Sequence, residues 1–146
     1  MKVFIENEAG SNKKNLFDEK TLEYRKTVEV SRKYPYPYGF VLETTSGDGD
    51  NLDCFILTTK VLKTGDIIDA EPVGMFEQIE DGKEDNKILA IINDESFSIS
   101  EEVKKVFKDF TENVFLHKPG KTISIGKFLG KEEANKLLEK CKDKHD

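Results

Sequence analysis

Residues 39–58, GFVLETTSGDGDNLDCFILT, place two runs rich in β-forming residues on either side of an acidic turn. Residues 39–45 and 53–58 carry the aliphatic, aromatic and threonine side chains that favour strands. The turn between them has the glycine, serine and aspartate typical of turns. Three carboxylates, Asp48, Asp50 and Asp53, fall within six residues, and Asp53 directly precedes an apolar segment. The stretch therefore predicts two strands joined by a turn of high negative charge.

The other segments predict further strands followed by two helices. Strands are expected at residues 3–5, 22–30, 67–79, 87–92 and 123–128. Pro72 predicts an edge position or a bulge in the longest of them. Apolar residues spaced three and four apart predict helices at residues 101–114, with Ser100 as N-cap, and at residues 131–142. We therefore expect an α+β fold in which a small barrel or curved sheet has two helices packed outside.

The composition indicates a globular chain without a strongly basic surface. The 146 residues fit a single domain spanning residues 1–146, and apolar and charged residues each make up 36% of it. The net charge of −6 argues against a nucleic-acid surface, which is usually basic. Because the N-terminal segment has no long apolar region and no apolar run reaches membrane-spanning length, we expect neither a signal peptide nor a membrane span. With Cys54 and Cys141 interpreted as reduced thiols, we expect a cytoplasmic protein.

A second acidic turn is expected beside the first. If the strands at residues 39–45, 53–58, 67–79 and 87–92 form an antiparallel meander, the turns at 46–52 and 80–86 lie at the same end of the sheet. The second turn reads EDGKED and carries four acidic residues, Glu80, Asp81, Glu84 and Asp85. The two turns therefore predict an acidic mouth at one end of the sheet.

Such a mouth favours a bound cation over a merely solvated turn. Like charges about 4 Å apart repel by roughly 1 kcal/mol in water and by about 4 kcal/mol in a half-buried site. Oxygen ligands without nearby histidine or cysteine indicate Mg²⁺, Mn²⁺ or Ca²⁺ rather than zinc. We expect His117 and His145 at the surface. An EF-hand loop beginning at Asp48 is excluded, because it would need glycine where Asp53 stands and glutamate where Thr59 stands.

Basic and tyrosine side chains around this mouth indicate a phosphate ligand. Lys87 lies two residues after Asp85, so that on a strand both side chains point the same way. Further candidates are Lys13, Lys14, Arg25, Lys26 and the tyrosines of YPYPYGF, residues 34–40. Packing in the core is the alternative for Tyr36, whereas a rigid tyrosine hydroxyl is also a good phosphate donor. Cations, lysines and tyrosines together predict a site that positions phosphate and neutralises its charge.

These residues resemble the soluble, magnesium-dependent inorganic pyrophosphatases of the barrel type. The resemblance is carried by YPYPYG at residues 34–39, DGDNLD at 48–53, GDIIDAEPVG at 65–74, EDGKEDNKILAI at 80–91 and IENEAGSNKK at 5–14. It covers roughly residues 3–93. It implies an OB-like, closed or partly open antiparallel β-barrel with two outer helices. The implied reaction is hydrolysis of pyrophosphate to two phosphates with several Mg²⁺ ions, for which Mn²⁺ is a possible substitute, in a homo-oligomer that is hexameric by analogy.

The resemblance also implies roles for individual residues. The implied metal ligands are Asp48, Asp53, Asp85, Glu80 and Glu6. Asp50 matches the residue that helps to activate the attacking water. The implied phosphate-binding residues are Lys14, Lys87, Tyr38 and either Arg25 or Lys26, with Tyr34 in support.

The chain departs from the family pattern in three places. Leu16 stands where an active-site glutamate is usual, and Val114-Phe115 stands where a phosphate-binding Tyr-Lys pair is expected. Lys118 or Lys121 is a possible substitute for that pair, and Asn51 occupies a position where proline is common. Two other hypotheses therefore stay open. One is a diverged relative that acts on another phosphoanhydride or only binds divalent metal and phosphate, and the other is a non-catalytic interaction domain.

Overall fold

The computed structural model describes residues 1–144, within which the chain forms nine strands and two helices. The strands are β1 (Lys2–Asn7), β2 (Lys13–Phe17), β3 (Tyr24–Glu29), β4 (Tyr38–Val41), β5 (Asp53–Ile56), β6 (Ile67–Glu80), β7 (Lys83–Glu84), β8 (Lys87–Ile92) and β9 (Ile123–Gly130). The helices are α1 (Glu101–Asn113) and α2 (Lys131–Cys141). Neither is long and apolar enough to cross a membrane. His145 lies outside the described residues.

The main sheet closes into a ring. Its strands follow the order β1, β4, β5, β8 and β6, and β6 returns to pair with β1 through Val3 and Ile68. The register of β6 shifts between Pro72 and Gly74, so this long strand bends, pairing with β1 in its first part and with β9 in its later part. Pro72 thus marks a bulge in a strand paired on both sides. The ring confirms a mainly β, OB-like fold with two helices outside.

The predicted meander is wrong in one respect. Strand β5 pairs with β8, and the pairing is parallel, with Cys54 opposite Ile88. Strand β8 lies between β5 and β6, since β6 and β8 form their own antiparallel pair. Both β5 and β8 therefore begin at the same end of the barrel. The two acidic turns that precede them meet there, as expected, although the intervening strand order differs.

Two clusters of buried side chains fill the fold, one behind each helix. The aliphatic cluster takes Ala134, Leu138 and Cys141 from α2. The aromatic cluster takes Phe107 and Phe110 from α1, and the ring of Phe107 lies 4.9 Å from that of Phe55. The helical spacing predicted these buried positions. Val106, which has the same apolar spacing, is instead 43% exposed.

The hairpin β2–β3 forms a separate two-stranded sheet beside β1. The sequence KKNLF of β2 has too little alternation to predict a strand, so this element was missed. Asn15 fixes the hairpin to β1, because its backbone N–H donates to Asn7 Oδ1 at 2.7 Å and its Nδ2 donates to the Glu6 carbonyl at 2.8 Å. The hairpin therefore forms one wall above the barrel opening.

Gly39 allows β1 and β4 to approach closely at that opening. A Cβ built at this position would lie 1.7 Å from the carbonyl oxygen of Phe4. Only glycine fits there, which explains the glycine that follows the proline-rich segment YPYPY. The preceding residue, Tyr38, is thereby held at the mouth of the barrel.

Removing the N-cap of α1 should lower stability modestly. Ser100 Oγ accepts a hydrogen bond from the Val103 backbone N–H at 3.3 Å. Ser100→Ala is expected to reduce the free energy of unfolding by about 1 kcal/mol in urea denaturation, because one donor of the first turn loses its partner. Ser98→Ala is the control: Ser98 is exposed and precedes the helix, and an equal loss in both variants would contradict the capping role.

Candidate active site

A cavity of about 240 Å³ opens at the end of the barrel where β5 and β8 begin. Nine of the residues predicted to bind metal, activate water or bind phosphate line it: Glu6, Lys14, Tyr38, Asp48, Asp50, Asp53, Glu80, Asp85 and Lys87. They come from β1, β2, β4, β5, β6 and β8, and from the loops preceding β5 and β8. Tyr34, predicted to support them, lines it as well. The volume lies below the roughly 300–1,000 Å³ of most drug-sized pockets, which suits a compact anion with its cations.

The loop before β5 is shaped by its own hydrogen bonds. Asp48 Oδ1 accepts from Ser46 Oγ at 2.6 Å and from the Asp50 backbone N–H at 2.9 Å. Gly49 has φ +88°, a left-handed conformation that other residues rarely adopt. Among the described residues, none donates a hydrogen bond to the Asp50 carboxylate. That carboxylate therefore stands free at the mouth, while Asp48 is oriented by the turn.

Lys87 joins the two acidic loops. Its Nζ donates to Asp53 Oδ2 at 2.5 Å, to Asp85 Oδ2 at 2.9 Å and to the Tyr38 hydroxyl at 3.3 Å. The residue is 5% exposed. Burial alone would lower the pKa of Lys87, but the carboxylates of Asp53 and Asp85 outweigh burial and raise it. Lys87 is therefore a fixed positive charge between two carboxylates.

Tyr38 keeps its proton at the same place. Burial, with the nearby charge of Asp53, raises the pKa of Tyr38 well above its ordinary value. Because its oxygen accepts from Lys87, its own O–H is free to donate into the cavity. The ring of Tyr34 stacks on it at 5.5 Å and holds it in place.

Only two of the four acidic side chains around the loop before β8 line the cavity. Glu80 and Asp85 line it, and Glu80 forms an ion pair with Lys121 at 3.5 Å. Asp81 instead accepts from the Thr122 backbone N–H at 2.9 Å, and Glu84 is exposed outside the cavity. Asp81 thus shapes the loop, and neither Asp81 nor Glu84 lines the site.

Glu6 is a buried carboxylate facing the cavity. The residue is 5% exposed, and its hydrogen bonds with described residues are made by its backbone carbonyl rather than by its carboxylate. Burial raises the pKa of Glu6 to about 9, helped by the negative charges of Glu19 and Asp53. A buried carboxylate in such surroundings is stabilised by a cation.

Two further charged residues, Lys121 and Glu19, line the cavity. Lys121, one of the two possible substitutes, reaches the cavity from the segment before β9, whereas Lys118 does not line it. The ring of Phe115 is surrounded by the ammonium groups of Lys14, Lys121 and Lys118 at 4.8, 4.3 and 5.3 Å from its centroid. The second residue is Glu19, from the β2–β3 turn, and only that turn's contact with the acidic loop reveals it.

The structure does not bring Arg25 or Lys26 into the cavity. The Arg25 guanidinium donates to Asp18 Oδ2 on the outer side of the hairpin. Lys26 pairs with Leu16 across the hairpin, so it lies on the same face as Leu16 but remains exposed beyond the lining. Leu16 lines the cavity itself, so this part of the wall is apolar.

The donor set fits a hard divalent cation. Its donors are carboxylate oxygens, the ligands that Mg²⁺ prefers, and the described lining contains no histidine or cysteine. Within residues 1–144, no three acidic, histidine or cysteine side chains converge tightly enough to enclose an ion by themselves. Mg²⁺ does not need a closed cage, because it keeps several waters and uses one or two carboxylates plus phosphate oxygens. The open arrangement therefore suits cations that arrive with a phosphate ligand.

The fold is that of known pyrophosphatase structures. The inorganic pyrophosphatase of Helicobacter pylori superposes with a TM-score of 0.85 at 28% identity, covering 96% of this chain and 89% of that one. An inorganic pyrophosphatase from Neisseria gonorrhoeae superposes with a TM-score of 0.87 at 25% identity, covering 96% and 87%. These superpositions show that the barrel with two helices packed outside is the fold of inorganic pyrophosphatases.

Sequence comparison gives the same family. The model of the family described as inorganic pyrophosphatase matches residues 3–146, well beyond the segment in which motifs are recognisable. An inorganic pyrophosphatase from Nanoarchaeum equitans is 33% identical over 154 residues, or 98% of this chain and 96% of that protein. One from Saccharolobus solfataricus is 32% identical over 95% and 88%. The chain belongs to the inorganic pyrophosphatase family, and membership implies a divalent metal cofactor.

Proposed function

We propose that this chain hydrolyses inorganic pyrophosphate to two phosphates with the help of divalent cations. The observation that carries the proposal is the meeting of two acidic loops around Lys87 in one cavity. The names of the relatives agree with it. Mg²⁺ is the proposed cation, with Mn²⁺ as a substitute, because the donors are oxygens.

The carboxylates divide into two roles. Asp48, Asp53 and Asp85, with Glu80 and Glu6, would hold the cations. Bound cations would polarise the phosphoryl oxygens and lower the pKa of the attacking water. Asp50 is free of hydrogen-bond donors among the described residues and lies at the mouth, so it can accept the proton of that water. Burial and the charge of Asp48 raise the pKa of Asp50, which strengthens it as a base.

The basic and hydroxyl groups that line the cavity would bind the phosphate groups of the substrate. Lys87 and Tyr38 present an ammonium group and an O–H from the floor, and Lys14 and Lys121 present ammonium groups beside Phe115. Burial lowers the pKa of Lys14, and the charges of Lys87 and Lys121 act in the same direction. Ammonium groups that repel one another in this way favour binding of an anion between them.

Lys121→Gln is expected to raise the KM for pyrophosphate about tenfold, which corresponds to about 1.4 kcal/mol of lost binding. The variant removes one charged hydrogen-bond donor that would contact the substrate. It leaves the carboxylates of the cavity in place. Initial rates of phosphate release across pyrophosphate concentrations give the KM. Lys118→Gln is the matched control, since Lys118 also contacts Phe115 but lies outside the lining of the cavity. An equal rise in both variants would exclude a specific role for Lys121.

The proposed reaction is tested by phosphate release from pyrophosphate with Mg²⁺, with Ca²⁺ and without added metal. ATP and tripolyphosphate serve as competing phosphoanhydride substrates. Turnover that needs Mg²⁺ and prefers pyrophosphate supports the proposal. Tight Mg²⁺ binding without turnover of pyrophosphate would contradict it and favour the diverged phosphoanhydride or binding role. We further propose a homo-oligomer, hexameric by family analogy, acting in the cytoplasm.

A further inference from the structure

The turn between β2 and β3 is fastened to the acidic loop through Asn51. Glu19 Oε1 accepts a hydrogen bond from the Asn51 backbone N–H at 2.8 Å. The next residue, Lys20, donates from Nζ to Asn51 Oδ1 at 2.6 Å and to the Thr44 carbonyl at 2.9 Å. Asn51 is 2% exposed. Two neighbouring side chains of the hairpin thus hold one buried residue of the loop.

This contact depends on the residue type at position 51. Proline has no backbone N–H, so a proline there would leave Glu19 without its donor. Asparagine supplies the N–H and, through its side chain, a second acceptor for Lys20. Asn51 therefore fixes where the Glu19 carboxylate stands, at the wall of the cavity.

The charge around Glu19 is not balanced by protein groups. Among the described residues, seven carboxylates and three lysines line the cavity, a formal excess of four negative charges. Asp53 and Asp85 share Lys87, and Glu80 has Lys121. No lysine or arginine of residues 1–144 forms an ion pair with Glu19, and the only hydrogen bond its carboxylate accepts there is the one from Asn51.

The neighbours of Glu19 are themselves acidic, and Asp48, Asp50 and Glu6 form no ion pair with residues 1–144. Burial raises the pKa of Glu19 to about 7, and the nearby charges of Asp53, Asp50 and Asp48 act in the same direction. Glu6 faces the same cavity, 95% buried and without a donor to its carboxylate among the described residues. Unpaired carboxylates collected in one cavity are most simply stabilised by a divalent cation.

We propose that Glu19 is a further cation-ligating carboxylate of this site, held in position by the Asn51 backbone N–H. It supplies from the hairpin turn the negative charge that Leu16 does not supply from strand β2. The proposal rests on the proposed function only in using the same cation site. It adds a ligand that lies outside the motifs of the acidic loops.

The test is direct Mg²⁺ binding to the full chain by isothermal titration calorimetry, without pyrophosphate. Glu19→Gln keeps an oxygen that can accept the Asn51 N–H but removes the charge. We expect the Mg²⁺ dissociation constant to rise about tenfold or more in Glu19→Gln. Glu23→Gln, on the exposed part of the same hairpin, is the matched control and is expected to bind like the wild type.

Thermal unfolding gives a second readout. Without Mg²⁺, Glu19→Gln should melt at or above the wild-type temperature, because a repelled charge is removed, and added Mg²⁺ should stabilise it less. Wild-type Mg²⁺ affinity in Glu19→Gln would overturn the proposal. Glu19 would then only hold the hairpin turn to Asn51 of the acidic loop. Failure of Glu19→Gln to fold would also overturn it, since a purely ligating carboxylate gives no stability without the cation.

The two proposals fail in different ways. If the wild type binds Mg²⁺ but releases no phosphate from pyrophosphate, the proposed function fails and the role of Glu19 is still decided by the titration. If the wild type hydrolyses pyrophosphate and Glu19→Gln binds Mg²⁺ normally, only the role of Glu19 fails.

Discussion

Asp50→Asn should reduce Mg²⁺-dependent release of phosphate from pyrophosphate by about 10²–10⁴-fold, the usual contribution of a general base. The amide has nearly the shape of the carboxylate but cannot accept the proton of the attacking water. The Asp50 backbone N–H, which orients Asp48, is retained in this variant. The loss is therefore expected in kcat, with Mg²⁺ affinity and the melting temperature close to those of the wild type. Initial rates at saturating pyrophosphate and Mg²⁺ measure it.

Asp94→Asn is the matched control for this experiment. Asp94 is exposed, lies away from the cavity and has φ +70°, a conformation that asparagine tolerates well. Its activity should equal that of the wild type. If Asp50→Asn retained full turnover, the role of Asp50 in accepting the proton would be excluded, and another carboxylate of the mouth would have to take it.

Lys87→Met should lower the free energy of unfolding by about 3–5 kcal/mol in urea without divalent cations. The substitution removes the ammonium group shared by Asp53 and Asp85 and leaves both carboxylates facing each other in a partly buried site. It should also abolish measurable turnover, because the same ammonium group faces the proposed phosphate position. Added Mg²⁺ should narrow the stability difference from the wild type, since a cation can then lie between the two carboxylates.

Lys2→Met tests whether breaking any ion pair would lower the free energy of unfolding as much as Lys87→Met. Lys2 contacts Asp69 at 2.6 Å, but both side chains are more than half exposed. Exposed pairs contribute little, so the urea midpoint of Lys2→Met should stay close to the wild-type value. Equal destabilisation in Lys2→Met and Lys87→Met, or a Lys87→Met variant as stable as the wild type, would contradict the proposed role of Lys87 as the link between the loops.

The sequence predicts most of this fold because its apolar pattern is strong where elements are buried. The predicted strand at 87–92 matches β8 throughout, and its residues are almost all buried. Ser100 caps α1, because its hydroxyl accepts a hydrogen bond from the first turn, as its residue type indicates. Six of the nine lining residues, Asp48, Asp50, Asp53, Glu80, Asp85 and Lys87, could be selected because acidic residues and a lysine recur at short spacing on or beside the two turns. Lys14 and Tyr38 were candidates from basic and tyrosine-rich segments, and Glu6 follows from the family resemblance alone.

The remaining features depend on contacts between distant segments. The sequence of β2 is too polar to predict a strand, and the structure forms it only by pairing with β3 and fastening to β1. The parallel pairing of β5 with β8 leaves no mark in either strand, since both are equally apolar. Glu19 belongs to no motif, and its place follows from a hydrogen bond between residues 32 positions apart.

The parallel pairing of β5 and β8 has a consequence for how the site is assembled during folding. Asp53 and Lys87 lie 34 residues apart in sequence and begin adjacent strands. Parallel neighbours cannot be joined by a tight turn, and here the connection between β5 and β8 contains the whole of β6. Closing contacts over such separations is slow, because chain entropy is lost before the contact forms. A chain in which β8 has not docked against β5 holds Asp53 and Lys87 apart, so the ability to bind the ligand should appear only together with this long-range pairing.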